Sequence, residues 1–295
     1  MSAVIEQSPL ETSSSAAAGG GEASRPRWRD PVPGFGLTLG LSLAWLGAVI
    51  LLPLSALVLR SVDLGVEGWW QLLQSERVQQ ALWLSFSTAF LAAGIASVVG
   101  TLIAWVLVRY PFPGRRLIDA MVDLPFALPT AVAGIALTAL YSGTGWVGAY
   151  LEPQGITIAQ RPAGIVLALV FIGLPFAVRT LQPILETATR EFEEAAATLG
   201  ASRWTILRRV VFPPLRPAIL TGFSLAFARG LGEYGSVIFI AGNIPFVSEI
   251  APLLIVIRLE EYDYAGATGI ATLMLAISFL TLLALGLLQR KTRHG

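Results

Sequence analysis

Long uncharged, apolar stretches alternate with short charged ones along almost the whole chain. Runs without Asp, Glu, Lys or Arg extend from Pro31 to Leu59, Val78 to Val108, Leu124 to Leu151, Pro162 to Val178 and Tyr264 to Gln289. Each reaches or approaches the ~20 apolar residues a helix needs to cross a hydrocarbon core. A sixth stretch, from about Pro217 to Ala241, is interrupted by Arg229 and Glu233. The pattern predicts an all-α integral membrane protein with six transmembrane helices, at about 35–59, 81–108, 118–142, 162–181, 216–241 and 266–289. Inside the third, Pro125 and Pro129 free backbone carbonyls that neighbouring helices or a water-filled cavity must satisfy. They mark either a packing kink or part of a pathway.

Composition supports that pattern, with 55% hydrophobic and 13% charged residues against roughly 25% charged in soluble domains. Charge distribution supplies an orientation. Arg25, Arg27 and Arg29 precede the first span, and Arg109, Arg115 and Arg116 lie between the second and third. Arg190, Arg203, Arg208 and Arg209 lie between the fourth and fifth, and Arg290, Lys291 and Arg293 follow the sixth. The alternate loops carry Arg60, Arg77, Arg161 and Arg258 among acidic neighbours. By the positive-inside rule both termini face the cytoplasm. Residues 1–30, rich in Ser, Ala, Gly and Glu, read as a disordered cytosolic tail ahead of a transmembrane domain over 31–290. The apolar run after Arg29 is too long for a signal-peptide core, so the first span is expected to be retained.

Missing residue types narrow the chemistry. There is no Cys, the only His is His294, and the only Lys is Lys291 in the tail. Thiol chemistry, a His-based metal site and a phosphate-binding Gly-rich loop ending in Lys are all excluded. The chain is expected to be no enzyme, with no catalytic, cofactor-binding or metal-binding residues of its own.

A polar island stands out between the fourth and fifth spans, over 186–213. Glu191 to Leu199 forms helix readily, with Ala195, Ala196 and Leu199 spaced to share a face. Gly200 stands where a helix commonly ends in the left-handed conformation. Ser202 is placed to cap a second helix carrying Trp204, Leu207 and Val211, which Pro213, Pro214 and Pro217 should end. Small residues beside acidic ones suit a tight protein groove better than a membrane surface.

The order Glu194-Ala195-Ala196, three residues, Gly200, nine residues, then Val210-x-Phe212-Pro213 resembles the EAA loop of binding-protein-dependent (ABC) importer permeases. Val and Phe replace the more usual Ile and Leu. Residues 123–135, from Asp123-Leu124-Pro125 to Gly134-Ile135, and 227–236, Phe227-Ala228-Arg229-Gly230-Leu231-Gly232-Glu233-Tyr234-Gly235-Ser236, are similar to signatures of the sulfate and molybdate permeases. The blocks 249–257 and 261–267 are similar to the sulfate/thiosulfate branch, and the likeness covers about 35–290.

That resemblance implies the type I ABC importer permease architecture, in a bacterial inner membrane as a multi-pass subunit. It implies a second homologous permease subunit, two copies of an ATP-binding subunit that uses ATP and Mg, and a periplasmic or external sulfate-binding protein. Apart from membrane lipid no further partner is implied, and no nucleic acid. On this reading Glu191, Glu193, Glu194, Ala195, Ala196, Leu199 and Gly200 couple the chain to the ATPase. Substrate is then sulfate or thiosulfate, moved inward by alternating access; molybdate or tungstate is the alternative within the class, and an ATP-independent secondary anion transporter the alternative outside it.

Arg229 and Glu233, at i and i+4, are costly within a membrane and mark functional candidates with Pro125 and Pro129. They form either a self-contained pair that fixes packing or a gate, or a place where Arg229 meets a dianion. Asp119 and Asp123 read as packing or interface residues. Pro252 is placed to begin a helix sharing Leu253, Leu254 and Ile257 on one side, lying at the outer surface or dipping into the membrane.

Overall fold

The computed structural model describes residues 34–187 and 190–293. The expected tail over 1–30, His294, and residues 188–189 of the polar loop lie outside them. All regular structure among the described residues is helical. Two compact units divide at Pro53. In the first, α1 (Phe35–Leu46) passes into a π turn at Gly47–Leu51, with no residue of either buried.

The second unit begins within α2 (Leu52–Ser61) and continues through α3 (Gly65–Gln74), α4 (Glu76–Arg109), α5 (Arg115–Val122), α6 (Leu124–Ala127) and α7 (Thr130–Tyr141). The chain then forms α8 (Gly148–Leu151), α9 (Pro162–Thr187), α10 (Arg190–Thr198), α11 (Arg203–Ile206) and α12 (Phe212–Leu231). Last come α13 (Val237–Ala241), α14 (Ala251–Glu260) and α15 (Tyr264–Arg293).

Helices α4, α9 and α12 pack against one another as the centre of this unit. Lipid tails are as apolar as Leu, so close backbone approach through small residues must hold such helices together. The sequence supplies those residues in register. A Cβ added at Gly100 would overlap the Ala177 methyl, one at Gly222 would press on the Ala177 backbone, and one at Gly173 would reach the Ala226 methyl. Ala177 on α9 is thus the contact point for both neighbours. Around the seam Leu107, Val178, Leu181, Leu185 and Leu215 are buried toward one end, and Ala89, Ala93, Ile165, Phe227 and Leu231 further along.

Five helical runs are long and apolar enough to cross a bilayer: Phe35–Gln74, Glu76–Arg109, Pro162–Thr187, Arg203–Leu231 and Tyr264–Arg290. The structure differs from expectation at the other places. The helix expected over 118–142 is three pieces, because Pro125 and Pro129 cannot donate to a continuing ladder. The longest apolar piece is α7, with 12 residues. The helix expected over 216–241 stops at Leu231 and resumes as α13 after a turn through Gly232 and Gly235. Conversely, Pro213 and Pro214 do not end the helix that Ser202 starts. A π turn at Leu207–Val211 intervenes, with the Phe212 N–H donating to the Leu207 carbonyl, and the helix runs on into α12. The widened turn absorbs the register change that two residues without N–H donors demand.

Candidate functional site

The two broken helices meet at their breaks. The amino end of α7 lies against the turn between α12 and α13: a Cβ on Gly235 would strike the Thr130 hydroxyl, and one on Gly134 would strike the Ser236 backbone. Glycine at both positions is what lets the two backbones touch. Pro129 precedes α7 in extended conformation, and no side chain caps this helix end. Its first N–H groups therefore bring a partial positive charge to the junction.

Arg229 and Glu233 stand at the same junction. Arg229 Nη1 donates to Glu233 Oε2 at 2.6 Å. The other carboxylate oxygen accepts from the Ser236 N–H at 2.9 Å and from its hydroxyl at 3.1 Å. Glu233 is thus consumed in joining α12 to α13, its side chain only 3% exposed, whereas that of Arg229 is 35% exposed. The carboxylate is structural glue, and the guanidinium still presents charge to its surroundings. Pro125 is half-buried and Pro129 exposed on the α7 side of the break.

Nearer one end of α9, Arg179 binds the first piece of the broken helix. Its Nε and Nη2 grip both oxygens of Asp123, Nη1 meets Asp119 Oδ1 at 2.6 Å, and Nη2 also donates to the Asp119 carbonyl at 2.8 Å. Gln182 donates to Asp119 at 3.0 Å. The Asp pair expected as packing residues is brought together here. Arg179 itself escaped sequence reading, although its signal was present. The apolar run of α9 stops at it, and two carboxylates at i and i+4, on α5 and just past its end, attract a cation.

In the polar hairpin, α10 ends as expected. Gly200 takes φ +81°, and the Gly200 and Ala201 N–H groups donate back to the Ala197 and Ala196 carbonyls. Ser202 Oγ accepts from the Thr205 N–H at 3.3 Å. The faces of α10 differ. Glu191, Phe192, Glu194, Ala195 and Leu199 are exposed, Leu199 at 89%. Glu193 turns inward to Arg109 at the end of α4, Oε1 to Nη2 at 2.7 Å. Ala196 is half-buried beside it rather than on the face of Ala195 and Leu199.

At the far end of α4, Arg77 grips Glu249 with Nε at 2.8 Å and Nη2 at 2.6 Å. Ser85 Oγ accepts from the Ala251 N–H at 2.8 Å, holding the start of α14, where Pro252 stands in the first turn. No cluster of His, Cys, Asp and Glu suited to a metal occurs among the described residues.

Residues 96–294, which include both breaks, the hairpin and α15, match the model of the binding-protein-dependent transport system inner membrane component family. The chain belongs to this family. It is 51% identical over 254 residues to the sulfate transport system permease protein CysT of Synechocystis sp., covering 86% of this chain and 89% of that protein. To the protein of the same name from Escherichia coli it is 46% identical over 263 residues, covering 89% and 95%. In fold it is similar to a crystal structure of a bacterial ABC transporter involved in import of the acidic polysaccharide alginate, with TM-score 0.72 and 16% identity over 88% of this chain and 96% of that one. As an inner membrane component of this kind, it is a multi-pass membrane protein, and both helix breaks lie within the residues that match the family.

Proposed function

We infer that this chain is the membrane permease of an ATP-driven importer that carries sulfate into the cytoplasm. The single observation carrying this is the 46–51% identity with sulfate permeases across more than four-fifths of the chain. The geometry is compatible with an anionic substrate. Where two discontinuous helices abut, the uncapped amino end of α7 and the one-third-exposed Arg229 both favour negative charge. Glu233 does not oppose it, since its charge is spent on Arg229 and Ser236. Thiosulfate, a dianion of similar size, is taken as a second substrate.

The machine we propose contains a second homologous permease, two ATP-binding subunits that use ATP and Mg, and an external sulfate-binding protein. The chain's one Lys lies in the tail at Lys291, which supports leaving ATP hydrolysis to a partner. Glu191, Glu194, Ala195 and Leu199 are the outward residues of α10 available to that partner, with Gly200 setting the exit from the helix. ATP-driven approach of paired hairpins then opens the pathway alternately to either side.

The test is uptake of labelled sulfate into proteoliposomes holding the reconstituted complex. Accumulation is expected only with ATP inside and binding protein outside, and excess thiosulfate should compete. ATP-independent accumulation driven by an ion gradient would sink the importer reading. Preferential uptake of molybdate would reassign the substrate within the class.

A further inference from the structure

We propose that the Arg109–Glu193 ion pair is the tie through which displacement of α10 reaches α4, making both side chains positioning residues for coupled transport. The proposal rests on the importer reading above. Its starting point is an asymmetry in how α10 is joined to the three central helices. Chain continuity links α10 to α9 on one side and, through α11 and the π turn, to α12 on the other. Nothing in the chain path links it to α4, whose residues precede it by 84 positions at the pair.

Side chains make that link instead. The Arg109 side chain is 9% exposed and that of Glu193 27%, so the pair lies largely away from water. The guanidinium is also 5.1 Å from the centre of the Trp105 ring, one turn back on α4. This stacking holds Arg109 along its own helix and aims it at α10. Among the described residues, α10 packs on α11 and the π turn rather than on α4. A crevice of about 350 Å³, lined by residues including Ile184, Phe192, Val210 and Pro214, separates α10 from the helix bodies beside the pair. A polar strut across a crevice transmits push and pull where loose contact would not.

The far end of α4 completes the device. That helix has 34 residues, which at about 1.5 Å each make a rod of roughly 50 Å. Its other end holds Glu249 through Arg77 and the start of α14 through Ser85. Movement delivered at Arg109 is thereby carried to the segment 249–260 at the opposite end. Glu193 was expected to meet the ATPase with its neighbours; its inward aim assigns it to this link instead.

The test compares wild type, Arg109→Gln, Glu193→Gln and the swap Arg109→Glu with Glu193→Arg in the reconstituted complex. Arg109→Gln is expected to capture the ATPase subunit and hydrolyse ATP as wild type does. Sulfate moved per ATP should fall roughly five- to tenfold, the lower range of coupling between distant sites. The swap should recover most of the loss. In the detergent-solubilised chain, Arg109→Gln should also speed amide exchange across 190–198. Loss of ATPase capture by Glu193→Gln but not by Arg109→Gln would show that Glu193 docks the partner, and would overturn the proposal. So would unchanged exchange together with unchanged sulfate per ATP in Arg109→Gln. If wild type hydrolyses ATP without accumulating sulfate, the importer reading fails, and the exchange measurement still decides whether the pair holds α10.

Discussion

Arg229 and Glu233 differ in what they can tolerate losing. Glu233 is buried and satisfied on both oxygens, one by Arg229 and one by Ser236. Removing Arg229 leaves a buried carboxylate with two of its three donors and no counter-charge, a change that costs on the order of 3 kcal/mol when the partner is itself partly wet. Replacing Glu233 with Gln keeps an oxygen for the Ser236 N–H and removes the buried charge. We therefore expect Arg229→Ala to lower the thermal unfolding midpoint of the purified chain clearly more than Glu233→Gln. The double variant Arg229→Ala with Glu233→Gln should recover much of the difference. Uptake separates structure from pathway: if Arg229 meets the anion, the stability-restored double variant still transports poorly, whereas recovery of uptake would make the pair purely structural. The sequence showed these two residues as a local i, i+4 pair but gave no hint of Ser236, because a turn after Leu231 was needed to bring that N–H round.

At the scale of elements, the helix end at Gly200 was legible because neighbouring residues make it, whereas partners far apart in the chain were not. The cap at Gly200 is local, and substituting it tests the hairpin. Nothing lies within 4 Å of a Cβ at that position, so Gly200→Ala carries only the left-handed backbone cost of about 1 kcal/mol. It should leave the transmembrane fold intact while weakening ATPase capture, measured by pull-down. Gly222 is the opposite case. Its missing Cβ is space occupied by the Ala177 backbone, and Gly222→Leu should cost about 1–3 kcal/mol or more by overpacking, seen as reduced membrane abundance. Periodicity and uncharged length located α4, α9 and α15, because those signals live within each helix. They missed the continuation from α11 into α12, since prolines read as stops and a π turn that passes them leaves no mark in composition. They also missed Arg179 on Asp119 and Asp123, and Arg77 on Glu249, because these partners are 56–60 and 172 residues apart and only packing brings them together.

For the whole molecule, these long-range ion pairs bear on how many times the chain crosses the membrane. If α4 crosses once, Arg77 and Arg109 lie on opposite sides. Arg109 binds Glu193, so the chain between them must cross an even number of times. Pro162–Thr187 is long enough for one crossing, which requires the broken segment 115–141 to make the other, despite its interruptions. By the same parity Glu193 and Glu249 lie on opposite sides, since Arg77 binds Glu249, so the interrupted pair α12 and α13 crosses once. With the runs Phe35–Gln74 and Tyr264–Arg290 we expect six crossings in all, and from the basic loops we expect both termini on the cytoplasmic side. The natural sequence has no Cys, so single reporters can be placed without first removing any. Cysteines at Ser202 and Arg116 should react with a membrane-impermeant maleimide only after the cells are opened. Those at Asp63, Gln154 and Glu260 should react in intact spheroplasts. Labelling of Gln154 and Arg116 from the same side would mean that 115–141 re-enters without crossing, and the six-crossing count would be overturned.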